Sequence, residues 1–219
     1  MTMRILLLAV SYKHGGYCVA GINLANEKFV RLVTDDQTHC GPLDSSLFPF
    51  SPFDIIDVCI REKAPTNGAQ TENYFINNYN IKRVGFDNSR ETLIKYLDKH
   101  HITPFGTRYS SLNVSKYNEL DYSLCLLRVS EIILYNEINN DGTAKTKVNF
   151  ITTMNNGLTI QHNSYSVTDP IIVRRMHGIN EAVFLGHGYL LISIGPTQEE
   201  HYRYQYKFVS NIILDEDLS

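Results

Sequence analysis

Residues 124–176 read LCLLRVSEIILYNEINNDGTAKTKVNFITTMNNGLTIQHNSYSVTDPIIVRRM, and this stretch decides the fold. Leu124 to Ile138 carries a long strand pattern. Asn139-Asn140-Asp141-Gly142 is a strong hairpin turn signal, and Lys145 to Thr152 is the return strand. Asn155-Asn156-Gly157 marks another turn, followed by a third strand from Leu158 to Val167. Asp169-Pro170 then reads as an N-cap with proline at the first helical position. Ile171 to Met176 forms a short helix closed by Gly178.

Downstream, Tyr189 to Ile194 and Tyr202 to Leu214 are two further strands. Three strands, a short helix and two strands is the element order of the OB-fold, a five-stranded Greek-key barrel. Upstream, residues 4–34 (RILLLAVSYKHGGYCVAGINLANEKFVRLVT) give an apolar strand at Ile5 to Val10 and a polar break at Ser11 to Gly16. Two strands follow, at Tyr17 to Leu24 and Lys28 to Val33. Asp35 to Pro52 reads as a long loop, Phe53 to Glu62 as a strand, and Ala64 to Asn80 as a loop with some order near Tyr74-Phe75-Ile76. Ile81 to Phe86 is a further short strand. The clearest helix runs from Ser89 to about His100, capped by Asn88 or Ser89, with Leu93, Ile94 and Leu97 as its apolar stripe. Gly106 to Asp121 is the passage between halves. The expected protein is therefore mainly β, with two small OB-like β-barrels and short helices. Residues 1–105 would form an N-terminal barrel plus helix, and residues 120–219 a C-terminal barrel.

Composition narrows the class. The 219 residues carry a net charge of −3, so no global positive field draws in duplex nucleic acid. Any contact with nucleic acid must come from a local patch. No stretch approaches the roughly 18 apolar residues of a membrane span. Ile5 to Val10 is too short for the apolar region of a signal peptide, so a cytoplasmic protein is expected. Cys18, Cys59 and Cys125 sit in apolar strand patterns and read as buried thiols, while Cys40 lies in the loop. No histidine shows metal-ligand spacing, and no metal or other cofactor is expected.

The polar break carries the best candidate site. Tyr12 offers a stacking face, and Lys13 and His14 offer charge and donors. Gly15 and Gly16 can present backbone N–H groups to an anion. Arg31, from a neighbouring strand, completes a candidate phosphate or nucleotide site. A plain strand-to-strand turn also explains the glycines. In Tyr202 to Lys207 the tyrosines alternate with Arg203, Gln205 and Lys207. Such a strand either displays aromatics beside basic residues, as single-strand binders do, or packs its tyrosines inward and leaves a wet polar face. The alternation favours the inward reading, with Arg203 and Lys207 as a second candidate surface. Asp169 reads as a cap before it reads as a catalytic group. Arg174, Arg175 and His177 read as a solvated face. Phosphate-loop, dinucleotide, nucleophile-elbow and zinc-protease signatures are all absent.

The ordered set of motifs resembles the bacterial dual OB domain family. It comprises Ser11-Tyr12-Lys13-His14 leading into Cys18-Val19-Ala20-Gly21, then Phe29-Val30-Arg31-Leu32-Val33. In the second half it comprises Val167-Thr168-Asp169-Pro170, Tyr189 to Gly195, and Tyr206-Lys207-Phe208-Val209. The resemblance implies two OB-like barrels in one chain and a nucleic-acid-binding role in mobile-element or phage-defence settings. The residues support three readings. The first is a non-enzymatic binder of single-stranded nucleic acid or nucleotide. The second is an interaction module that docks a protein partner through the 35–52 loop. The third is a nucleotide- or nucleic-acid-processing enzyme using His14 as acid or base. A homodimer is the default oligomer, since two-fold dimers are the commonest closed assembly.

Overall fold

The computed structural model describes residues 1–13, 15–36, 39–66, 68–98, 102–154, 156–195 and 203–219. Its first half holds β1 (Thr2–Lys13), β2 (Gly16–Asn23) and β3 (Lys28–Asp36). Two short strands follow, β4 (His39–Gly41) and β5 (Leu43–Asp44), and then the long β6 (Asp54–Lys63) and β7 (Asn73–Phe86). β1 pairs antiparallel with β2 and β6, β2 with β3, and β6 with β7. A parallel pairing of β3 with β7, Arg31 opposite Asn73 and Val33 opposite Phe75, closes the ring.

The second half repeats the plan. Its five strands are β9 (Leu124–Ile138), β10 (Ala144–Thr153), β11 (Thr159–Val167), β12 (Val183–Ile194) and β13 (Tyr204–Leu214). β9 pairs with β10 and β12, β10 with β11, and β12 with β13. The parallel contact of Val167 with Val209 joins β11 to β13. Each ring is a closed five-stranded barrel with OB strand order. The helix α3 (Pro170–Met176) sits between the third and fourth strands of the second barrel, where sequence order placed it. Asp169 caps α3, accepting from the backbone N–H of Ile171 (2.9 Å) and Ile172 (3.3 Å). The first barrel's corresponding connection carries only β4 and β5 among its described residues, with Phe48 buried in that barrel's own core.

Two sequence expectations shift. The polar break is narrower than Ser11 to Gly16: β1 continues through Ser11 and Tyr12, which pair with Cys18 and Tyr17. The Ser89–His100 helix is α1 (Arg90–Lys95), ending at Tyr96. Asp87, not Ser89, supplies a side-chain acceptor at its start, taking the backbone N–H of Ser89 and the hydroxyl of Thr92. Past Tyr96 the chain is bound to the second barrel, with Asp98 N–H donating to the Leu126 carbonyl at 2.9 Å. The end of the expected helix, residues 99–101, lies outside the described residues. The passage between barrels holds the short strand β8 (Ser111–Asn113), which pairs with β13, and the one-turn helix α2 (Val114–Asn118).

The apolar run in β1 is continuous because both of its faces are covered. Ile5, Leu7 and Val10 point into the first barrel. Leu6, Leu8 and Ala9 point out, against the second barrel, where they meet Leu124 and Leu126 of β9, Tyr189 and Leu191 of β12, and Ile213 of β13. Each large side chain buried in this seam contributes about 1.5–3 kcal/mol. Leu93 of α1 wedges into the same cluster. Leu8 is a bulge residue, since Leu7 pairs with Gly21 and Ala9 with Ala20. The bulge frees the Leu8 carbonyl from the ladder, and the Asn211 side chain takes it from across the seam at 2.6 Å. A backbone bond from Tyr12 N–H to the Thr168 carbonyl (3.0 Å) ties the barrels further along. No helix among the described residues is long and apolar enough to cross a membrane.

Candidate ligand site at the seam of the two barrels

Where the seam side chains become small, the barrels part and leave a pocket of about 270 Å³. One wall is the outer face of β1, β2 and β3: Ala9, Ser11, Cys18, Ala20 and Arg31. Gln70 enters from the β6–β7 connection. The facing wall is the end of β12 and the start of β13, with Ser193, Ile194, Gln205, Phe208 and Ser210, and Tyr12 and Tyr206 also line it. In OB-folds the second and third strands, with the loops after strands one and four, form the usual ligand face. The pocket lies on that face of the first barrel and is roofed by the second.

Strand alternation turns Arg31 outward, because its neighbours Val30 and Leu32 fill the barrel interior. Its guanidinium is buried. One terminal nitrogen, Nη1, donates to Asn73 Oδ1 at 3.1 Å and lies 3.4 Å from Glu72 Oε1. Asn73 in turn donates to Gln70 Oε1 (3.2 Å), and Gln70 Nε2 donates to the Ile194 carbonyl of the second barrel (3.0 Å). The Ser123 hydroxyl donates to Glu72 Oε1. This buried network crosses the seam and neutralises Arg31 with Glu72. It leaves Nη2 and Nε of Arg31 without a protein acceptor among the described residues. Among the described residues two buried polar atoms have no partner, Glu72 Oε2 and Gln205 Nε2. Gln205 is only 3% exposed and lines the pocket. An unsatisfied buried amide costs about 1–3 kcal/mol, and this one sits on the inward face of β13, where Gln205 pairs with Leu112.

The pocket brings together two of the residues the sequence singled out, Tyr12 and Arg31. Tyr12 is 52% exposed, edge-on to Tyr17 at 6.3 Å between ring centroids. His14 lies outside the described residues, as does the side chain of Lys13, whose backbone ends β1. Gly15 (φ +83°) makes the turn, and Gly16 is required by packing: a Cβ there would meet the Leu43 carbonyl oxygen at 2.4 Å.

The Tyr202–Lys207 strand is turned the other way from the alternation-based expectation. Tyr204 and Tyr206 face out, at 52% and 58% exposure, while Gln205 and Lys207 face in; Tyr202 lies outside the described residues. Lys207 is therefore no part of a binding surface. Its ammonium donates to the Pro104 carbonyl (2.7 Å), the Thr107 carbonyl (2.8 Å) and the Thr107 hydroxyl (3.1 Å). The 104–107 turn, with Phe105 at φ +55°, points those acceptors into the barrel end, and a long cationic side chain can satisfy them. Burial pulls the Lys207 pKa down to about 7, against the pull of the three acceptors. Arg203 is exposed just before β13, and its carbonyl accepts from Val114 N–H. Cys125 is buried, but Cys18 and Cys59 are only partly buried. No local pattern singles out Gln70 or Gln205. Their significance comes from the second barrel's approach, which no local pattern reveals.

A second, more open depression beside β11 is lined by Arg108, Tyr109, Gln161 and Asn163. Its polar groups already serve one another, with Gln161 Nε2 donating to Asn163 Oδ1 at 3.1 Å.

The fold defines a tandem OB protein with a partly open pocket at the seam of its two barrels. The family model of the dual OB-containing domain matches residues 3–212, and the chain belongs to that family. No curated protein and no solved structure matches the chain.

Proposed function

We propose that the protein binds single-stranded nucleic acid, without turning it over, along the mouth of the seam pocket. The observation that carries this reading is the outward display of Tyr12 and Tyr206 at a cavity on the first barrel's ligand face. Exposed aromatic rings beside a partly open slot suit unstacked bases, each stacked base contributing about 1–3 kcal/mol. Tyr204 and Arg203 extend the same surface along the start of β13. The pocket's buried ion pair is internally neutral, which favours a binding role over acid–base chemistry and limits the number of phosphate contacts. The salt dependence should therefore be shallow.

The test is fluorescence anisotropy with labelled single-stranded DNA and RNA at two salt concentrations. Wild type should bind both better than duplex. Tyr12→Ala and Tyr206→Ala should each weaken binding by about 5- to 150-fold. Absence of binding to either strand, or unchanged affinity in both variants, overturns the reading.

A further inference from the structure

We infer that a single strand held at the mouth of the seam pocket continues over β8 onto a second platform on the second barrel, with a base on the Tyr109 ring and a phosphate on the Arg108 guanidinium. This rests on the single-strand reading above and adds to it a further subsite and a direction. Three observations carry it.

The first is continuity. β13 pairs with β8, Tyr204 opposite Asn113 and Tyr206 opposite Ser111. Residues opposite one another in an antiparallel ladder share a face, with Cβ atoms about 4.5–5.5 Å apart. Gln205 and Leu112 form the inward face of this ladder, and both are buried. Its outward face therefore carries Tyr204, Tyr206, Ser111 and Asn113. Tyr206 lines the seam pocket. Ser111 lines the depression beside β11, together with Arg108 and Tyr109 just before it in the chain. One strand pair thus joins the two cavities.

The second is presentation. The hydroxyl of the buried Tyr165 donates to the Tyr109 carbonyl at 2.8 Å, and Nδ1 of the buried His162 meets the Arg108 carbonyl at 3.3 Å. These bonds draw both carbonyls into the barrel end, while both side chains stand exposed outside it. The Arg108 guanidinium covers one face of the Tyr109 ring, 5.2 Å from its centroid. At 62% exposure the ring keeps open surface for a base. A platform fixed before binding loses less conformational freedom when its ligand arrives.

The third is charge. The depression, about 490 Å³, is lined by one cation and no carboxylate, in a chain of net charge −3. Aromatic rings for bases beside cations for the backbone are what single-strand binders present. Gln161 and Asn163 join one donor to one acceptor. Each amide has further hydrogen-bonding capacity, suited to base edges or a 2′-hydroxyl.

The test is anisotropy on the full chain with homothymidine and homouridine strands, lengthened from about 2 to about 16 nucleotides to span the site sizes of OB-folds. Tyr109→Ala should weaken the long strands by about 5- to 150-fold and leave the shortest at wild-type affinity. Tyr109→Phe, which keeps the ring, should bind as wild type. Arg108→Gln should lower the slope of log affinity against log salt by about 0.7 for the long strands, the effect of one phosphate contact. Thermal midpoints should not move, because both side chains are exposed.

Unchanged long-strand affinity and slope in Tyr109→Ala and Arg108→Gln, or an equal loss at every length, overturns the inference and leaves the strand reading standing. Binding that depends on Tyr109 but not on Tyr12 or Tyr206 overturns the reading at the pocket mouth and keeps the platform. No binding of any strand to wild type overturns both.

Discussion

Lowering the pH from 7 to 5 should cost the protein about 2 kcal/mol through one side chain, His162. The imidazole is fully buried, stacked on Phe150 with ring centroids 4.6 Å apart and planes 12° apart. Nδ1 faces the Arg108 carbonyl at 3.3 Å and so carries the proton, leaving Nε2 to accept from the Thr152 hydroxyl at 2.9 Å. That pattern fixes the neutral ring. Burial pulls the pKa down from 6.5 to about 4. The unfolded chain takes up a proton as the pH falls below 6.5, and the folded chain does not until about 4. Stability is therefore full above 6.5 and drains away as the pH falls toward 4. The whole shift is worth about 3.4 kcal/mol, of which about 2 kcal/mol is lost by pH 5. Against a typical total of about 5–15 kcal/mol that is a large fraction. Urea unfolding of wild type and His162→Gln at the two pH values measures it. The variant should be less stable at pH 7 and should lose about 2 kcal/mol less on acidification. Equal losses in the two proteins would refute the account.

Lys207 predicts the opposite end of the pH scale. Its folded pKa of about 7 lies below the ~10.4 of the unfolded chain, so stability should rise by about 2 kcal/mol between pH 7 and 9. Lys207→Met should flatten that rise in the same urea assay. Asp169→Ala removes the cap on Ile171 and Ile172 and should cost about 1 kcal/mol in thermal unfolding, with strand affinity unchanged. Loss of binding at full stability would contradict its role as a cap. Gly21→Ala places a Cβ 2.2 Å from the Leu6 carbonyl oxygen. It should lower the unfolding midpoint by the equivalent of about 1–3 kcal/mol or more, since backbone must move.

The second barrel was legible almost strand by strand because its turn residues are explicit. Asn139 to Gly142 and the Asp169-Pro170 cap bound the elements, and alternation between them needs no outside help. The first barrel was blurred at one point. Asn73 to Phe86 is a single strand, yet its polar Asn77, Asn78 and Asn80 make the centre read as loop; pairing on both sides of that centre, with β3 and β6 before it and with β6 after it, carries the strand through. The candidate site divided in the same way. Tyr12 and Arg31 were visible as unusual residue types near a turn. The orientation of β13 was not, because it depends on the carbonyls of the 104–107 turn, about a hundred residues away in sequence. Alternation gives the period of a strand's two faces but not which one is inside, and at the start of β13 the inward face is the polar one.

The pocket's position follows from how side-chain size changes along the seam. From Leu6 opposite Ile22, the β1–β2 ladder passes to Ala9 opposite Ala20 and then to Ser11 opposite Cys18. On the other wall, Leu191 opposite Asn211 gives way to Ser193 opposite Phe208, with Ser210 nearby bonded to Ser193 at 2.7 Å. Large side chains close the seam at one end, and small ones cannot fill it at the other. Longer aliphatic side chains at Ala9 or Ala20 would bury more apolar surface, about 0.8 kcal/mol for each added methylene that fits. The seam forgoes that gain at the end where Arg31 lies and where two tyrosines stand exposed. A contact serving only to join the barrels has no use for small residues, a buried ion pair and exposed tyrosines together. Their coincidence is accounted for if the space belongs to a ligand.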